Sequence, residues 1–233
     1  MDLEAQQQYN QTCAVDYNAR TGMEKRLIIG GYSSMGKPDN CTLQYYENNA
    51  SAFISGTIAA YTGDARSRFM NQILPCSRIL DLGCGSGRDT KALLDAGFKV
   101  DAVDGSAEMC RLASEYNGIS VKQMLFQELD AVDTYDGIWA CASLLHLSKE
   151  ELENVLHRIS CALKMNGILY TSFKYGTFEG MRSGRYFTDF TEETLWRFWK
   201  HVPFLLIIDF WITHDVRPER RDERWINLLC MRT

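Results

Sequence analysis

The stretch Ile79-Leu80-Asp81-Leu82-Gly83-Cys84-Gly85-Ser86-Gly87 constrains this chain more than any other. An apolar run leads into it and reads as a buried strand. Downstream, Leu93, Leu94 and Ala96 suit the packed face of a helix that stops at Gly97. A strand, a glycine turn and a helix make the βα unit that binds adenosine-containing cofactors in open α/β sheets. The spacing narrows the cofactor. A dinucleotide fingerprint runs G-x-G-x-x-G, its third glycine letting helix and strand pack closely. Here Arg88 stands at that third position and the glycines fall as G-x-G-x-G, which opposes the competing reading of a nicotinamide-dependent oxidoreductase. A second carboxylate, Asp104, closes the next apolar run, Lys99 to Val103. It follows at about 20 residues, the distance where an acid meets ribose hydroxyls.

The rest of the chain alternates strand and helix. Ser77 to Leu82 predicts a first strand, Arg88 to Ala96 a helix and Lys99 to Asp104 a second strand. Ser106 caps a helix with Met109, Leu112, Ala113 and Tyr116 on its inner face, ending at Gly118. Strands follow at Ile119 to Leu125 and Asp136 to Ala140. Ser148-Lys149-Glu150-Glu151 is a capping box, opening a helix with Leu152, Val155, Leu156, Ile159 and Leu163 in register. Ile168 to Phe173 reads as strand five, and Thr191 caps a helix carrying Leu195, Phe198 and Trp199. Only a loop joins the last two strands, Leu205 to Ile212 and Trp225 to Met231, so they pair antiparallel. Alternation of this kind makes a mostly parallel sheet covered on both faces. Ahead of the core, residues 1–44 read as an irregular arm. Residues 45–75 read as a helical cap with Phe69, Met70, Ile73 and Leu74 on one face, closed by Pro75. Cap and core, 45–233, form one domain, with the core at 76–233.

The glycine turn with Asp81 before it and Asp104 after it resembles motif I and its setting in the class I S-adenosylmethionine-dependent methyltransferases, over roughly Tyr45 to Met231. The resemblance implies an α/β, Rossmann-like sheet of seven strands, mostly parallel with the last strand antiparallel and helices on both faces. It also implies S-adenosylmethionine as cofactor. Gly83, Gly85 and Gly87 let the backbone approach that ligand where a Cβ would collide. Asp81 holds its ammonium, directly or through water, and Asp104 accepts its ribose hydroxyls. Amides at the helix start meet the carboxylate, and Gly105, Ser106 and Met109 line the ribose and adenine. Aromatic residues of such caps cover the cofactor, a place that Tyr45 and Tyr46 match; the bland alternative is that both merely pack the cap. One position departs from the family: Leu125 stands where an acid often meets the adenine amino group, leaving Gln127 or Glu128 to supply that contact.

The exit of strand four, Cys141 to His146, faces the sulfonium and the acceptor in this family, with Cys141 on the cofactor and Ser143 on the acceptor. His146 either serves as a general base, its ordinary pKa lying near operating pH, or caps the loop without taking a proton. Alignment and desolvation accelerate an in-line displacement even with no base. Lys174 and Tyr175 leave strand five toward the same edge, Tyr175 as a further catalytic candidate. Arg185 follows on a mobile loop, and Lys174 and Arg185 either hold an anionic substrate or simply face solvent. No metal site is expected.

Composition bounds the partners. A net charge of -5 argues against broad nucleic-acid binding and leans toward a small-molecule substrate. Some tRNA-modifying and tellurite-resistance-type methyltransferases share this motif order, so RNA stays open as an acceptor. So does a non-catalytic regulator that only binds the cofactor. Eight cysteines without a CxxC pair, Cys84, Cys110, Cys141 and Cys161 among apolar or motif positions, read as reduced thiols of a cytoplasmic protein. No signal peptide or membrane span is apparent.

Overall fold

The computed structural model describes residues 38–217 and 220–233. Residues 1–37 of the expected arm lie outside them. In chain order come α1 (Pro38–Thr57), α2 (Gly63–Met70), β1 (Arg78–Leu82), α3 (Arg88–Asp95), β2 (Lys99–Asp104), α4 (Ala107–Asn117), β3 (Lys122–Gln123) and β4 (Tyr135–Ala140). Then follow α5 (Lys149–Ala162), β5 (Leu163–Lys174), β6 (Glu179–Arg182), β7 (Arg185–Thr188), α6 (Glu192–Trp199), β8 (Leu205–His214) and β9 (Arg224–Arg232).

Seven strands pair in the order β3-β2-β1-β4-β5-β9-β8. The first five run parallel, and β9 lies between β5 and β8, antiparallel to both. The expected sheet, with its reversed last strand, is therefore present. β1 sits in the middle of the five parallel strands, where a run of apolar residues can bury on both faces. Ile79 points into a cluster with Phe69, Ile73, Leu93, Trp139 and Tyr170. Leu80 and Leu82 alternate to the other face, packing with Leu152, Val155, Leu156 and Ile159 of α5. Trp139 anchors the first cluster: its ring stacks on Tyr170 at 4.0 Å and meets Phe69 edge-on at 5.3 Å.

The caps form as the sequence requires. Ser106 Oγ accepts from Met109 N, Ser148 and Glu151 close a reciprocal box, and Thr191 Oγ1 accepts from Thr194 N. Other expectations are corrected. The cap is two helices with a break at 58–62, and the first begins at Pro38, ahead of Tyr45. Leu74 is 79% exposed beyond the end of α2, and Tyr116 is 50% exposed near the end of α4. The third strand shrinks to two residues because it is a sheet edge; Val121 and Met124 beside it still bury their side chains. β5 starts at Leu163, straight after α5, and absorbs Asn166 in a left-handed kink at φ +63°. The loop expected to be mobile around Arg185 is the hairpin β6–β7. Ser183-Gly184 makes its tight turn with φ +52° and +78°, the left-handed pair that matches strand twist. Among the described residues no helix is long and apolar enough to cross a membrane.

Gly137 in β4 leaves room for α2: a Cβ there would lie 2.8 Å from Phe69 Cζ and closer still to Ile73 Cδ1. Gly137→Val should lower unfolding stability in urea by about 1–3 kcal/mol through overpacking. Removing the cap with Ser148→Ala should cost about 1 kcal/mol.

Candidate functional site

The C-terminal ends of β1, β2, β4 and β5 open onto a cleft of about 620 Å³, partly lined by α1. Its base is the glycine turn. Gly83, Gly85 and Gly87 all take left-handed φ, +79°, +53° and +74°. The amides of Gly83 and Cys84 both donate to Val103 O at 2.9 Å, tying the turn to the end of β2. A Cβ on Gly83 would strike Ser143 Cβ at 2.6 Å, and one on Gly87 would strike the Asn117 amide. Beside Gly85 the nearest such neighbour is Phe53 at 3.8 Å, so its face opens to the cleft.

Two carboxylates flank this turn, and neither forms an ion pair among the described residues. Asp81, 2% exposed, accepts from Thr90 Oγ1 at 2.5 Å. Burial, and then the charge of Asp89, push its pKa up to about 7. Asp104 accepts from Gly85 N at 2.9 Å and Ser106 N at 3.0 Å. Burial raises its pKa as well, against the pull of those amides. Asp89, next along, is the opposite case. Burial opposes its charge, yet Arg88 at 2.7 Å, Thr62 at 2.7 Å and Arg66 hold its pKa below the ordinary value. Trp139 Nε1 donates to the same carboxylate at 3.2 Å. This knot joins α2, α3 and β4.

Across the cleft stands a polar trio. Tyr186 O accepts from His146 Nδ1 at 2.6 Å; a carbonyl only accepts, so Nδ1 carries the proton. Nε2 therefore accepts, at 2.8 Å, from the Tyr46 hydroxyl, whose oxygen in turn receives Arg185 Nη1 at 3.3 Å. Burial first, and then the charge of Arg185, hold the His146 pKa down to about 4. The ring is neutral and both nitrogens are engaged. α1 is fastened at two further points: Thr42 Oγ1 accepts from Tyr186 N at 2.9 Å, and Glu47 accepts from Ser106 Oγ at 2.6 Å.

Of the residues singled out from sequence, Tyr46, Asp81, Gly83, Gly85, Asp104, Gly105, Met109, Gln127, Cys141, Ser143, His146, Lys174 and Arg185 line one cleft. Gly87, Ser106, Glu128 and Tyr175 do not. Gly87 starts α3, and Ser106 is spent on capping α4. The Glu128 carboxylate folds back to accept from Leu125 N at 2.7 Å, which leaves Gln127 as the one facing the cleft. Tyr175 stacks its ring under Arg224 at 4.0 Å. Lys174 pairs with Glu223 and lies over Trp225 at 4.9 Å; burial, with Arg182 and Arg220 nearby, lowers its pKa to about 8. The cleft also recruits Leu43, Phe53, Phe126 and Trp211. Their spacing in the chain carries no signal of that convergence. Phe126, one residue past Leu125, is the one that proximity to a known motif position marks.

A family model described as "Methyltransferase domain" matches residues 79–167. N-terminal Xaa-Pro-Lys N-methyltransferase 1-B of Xenopus laevis is 30% identical over 170 residues, 63% of this chain and 73% of that protein. N-terminal Xaa-Pro-Lys N-methyltransferase 1 of Xenopus tropicalis is 30% identical over 151 residues, covering 55% and 67%. In fold, the chain is similar to 1,6-didemethyltoxoflavin-N1-methyltransferase of Burkholderia thailandensis, solved with 1,6-didemethyltoxoflavin and S-adenosylhomocysteine bound. That likeness has a TM-score of 0.65 at 22% identity over 87% of this chain and 93% of the other.

Asp81 and His146 impose opposite pH slopes on stability. The folded state raises the Asp81 pKa, so its contribution is present below about pH 4 and is lost as pH rises through about 7. The folded state lowers the His146 pKa, so stability falls as pH drops from about 6.5 toward 4. Between these limits, the stability of Asp81→Asn relative to wild type should rise with pH, and that of His146→Gln should fall. Urea midpoints against pH measure both; difference curves of the same sign would contradict the assignment.

Proposed function

This chain belongs to the class I S-adenosylmethionine-dependent methyltransferases, and we propose that it methylates a small-molecule acceptor held between the glycine turn and the Tyr46–His146–Arg185 trio. The observation that carries the reading is the pair of buried carboxylates, Asp81 and Asp104, which form no ion pair among the described residues, both lining the cleft onto which Gly85 opens. A ligand with an ammonium and a ribose diol suits that pair. Asp81 takes the ammonium and Asp104 the diol, while Gly85 admits the ligand close to the backbone. Leu43, Met109, Leu125 and Phe126 give the adenine apolar walls, and Gln127 supplies the polar contact that Leu125 lacks. When bound, S-adenosylmethionine supplies an electrophilic methyl on a sulfonium, open to in-line attack by an acceptor lone pair.

On this reading the protein contributes alignment and exclusion of water. Ser143 and Tyr46 face the acceptor. His146, neutral and engaged at both nitrogens, orients the Tyr46 hydroxyl and takes no proton in this arrangement. α1 and α2 act as the cap of a single methyltransferase domain over 38–233. The free thiols Cys84, Cys110 and Cys230 suit the reducing cytoplasm in which the enzyme would work. A second reading, methylation of a polypeptide N-terminus, draws support from the names of the Xenopus relatives.

Methyl-labelled S-adenosylmethionine, incubated with cell extract split into small-molecule, RNA and protein fractions, separates these readings. Label is expected in the small-molecule fraction; label in protein would favour the second reading and label in RNA would refute both. Asp104→Ala should weaken cofactor binding by calorimetry about tenfold or more. Because the ligand ammonium needs Asp81 ionised, affinity should improve about tenfold from pH 6 to pH 8 and lose that dependence in Asp81→Asn.

A further inference from the structure

Among the described residues, five cationic side chains line the cleft: Arg88, Lys174, Arg185, Arg217 and Arg220. Four of them have an acid within ion-pair distance. Asp89 holds Arg88 at 2.7 Å, Asp215 holds Arg217 at 2.6 Å, and Glu223 takes both Lys174 and Arg220. Arg185 differs. No acid among the described residues forms an ion pair with it, although its hairpin neighbour Arg182 pairs with Asp189. Its Nη1 donates to Tyr46, and its Nε is shut from water with no partner. Its guanidinium packs on Tyr45 at 4.4 Å and beside Phe187 at 5.1 Å, contacts that hold a cation in place without cancelling its charge.

From this juxtaposition we infer that the methyl acceptor is a small anion, whose carboxylate or phosphate pairs with Arg185 while its nucleophilic atom faces the glycine turn. The inference rests on the small-acceptor reading above and names its substrate class. A partly desolvated guanidinium with an unmet donor carries a cost that an incoming anion relieves. The planar fork of arginine suits oxyanions, and the rings of Tyr46 and Phe187 line the cleft with it. Arg185 comes from a different element than the cofactor residues. Asp81, Gly85 and Asp104 come from the ends of β1 and β2, whereas Arg185 lies on β7 of the separate β6–β7 sheet, where Phe187 packs against both it and His146. The charge of Arg185 also reaches His146 and helps keep it neutral.

The test uses the full-length protein, methyl-labelled S-adenosylmethionine and the small-molecule fraction of cell extract, with the products passed over an anion exchanger at pH 9. The labelled product should be retained, and phosphatase treatment tells a phosphate from a carboxylate. Arg185→Gln should cut labelling at least tenfold with cofactor affinity within twofold of wild type, and Arg185→Lys should restore part of it. Labelled product in the flow-through, or Arg185→Gln labelling as wild type does, overturns the inference. Cofactor affinity falling in step with labelling overturns it too, since Arg185 would then serve the cofactor. No labelled small molecule at all, with cofactor still bound, refutes the small-acceptor reading itself.

Discussion

Three left-handed glycines in a five-residue turn are the constraint on which the site depends. A chain that leaves β1 and enters α3 within that space must reverse direction where side chains would collide with Ser143 and Asn117. The reversal lets the amides of Gly83 and Cys84 reach Val103 O, and that of Gly85 reach Asp104. Two strand ends are thereby drawn together, each with its carboxylate. Backbone amides and Thr90 satisfy part of the demand of these buried acids. What is left unmet is a capacity to bind.

α1 completes the cleft. It is fastened to the side of Asp104 through Glu47 and Ser106, and to the opposite side through Thr42 with Tyr186 and Tyr46 with His146. α2 is fastened from below, where Arg66 and Thr62 reach Asp89. Polar ties at both rims hold α1 in place, with Phe53 beside the open face of Gly85. Phe69 of α2, with Ile73 just beyond it, supplies the apolar contact beneath on Gly137 and Trp139.

Electrostatic pairing decides which of the many charges in the cleft are spent on structure. Arg88 and Lys174 both look available in the sequence, one inside the motif and one at a strand exit. Asp89 and Glu223 consume them. Tyr175 is likewise diverted by Arg224, and Glu128 by its own turn. Arg185 survives this sorting because the hairpin turn at Ser183-Gly184 sets it among aromatic rings instead of acids.

The local signals were strong wherever the physics is local. A glycine turn is legible because left-handed φ has few tenants, capping boxes because their partners lie three residues apart, and buried strands because apolar runs announce themselves. Order of elements then carried the parallel sheet and the reversed β9. Edge positions escaped: β3 and Tyr116 follow the apolar pattern, yet their surroundings end there. The trio of Tyr46, His146 and Arg185 spans 139 residues of sequence and converges only when α1, the exit of β4 and the β6–β7 hairpin meet. Which charges pair, and which nitrogen of His146 holds the proton, are set by distances between elements remote in the chain. Those distances exist only in the folded protein.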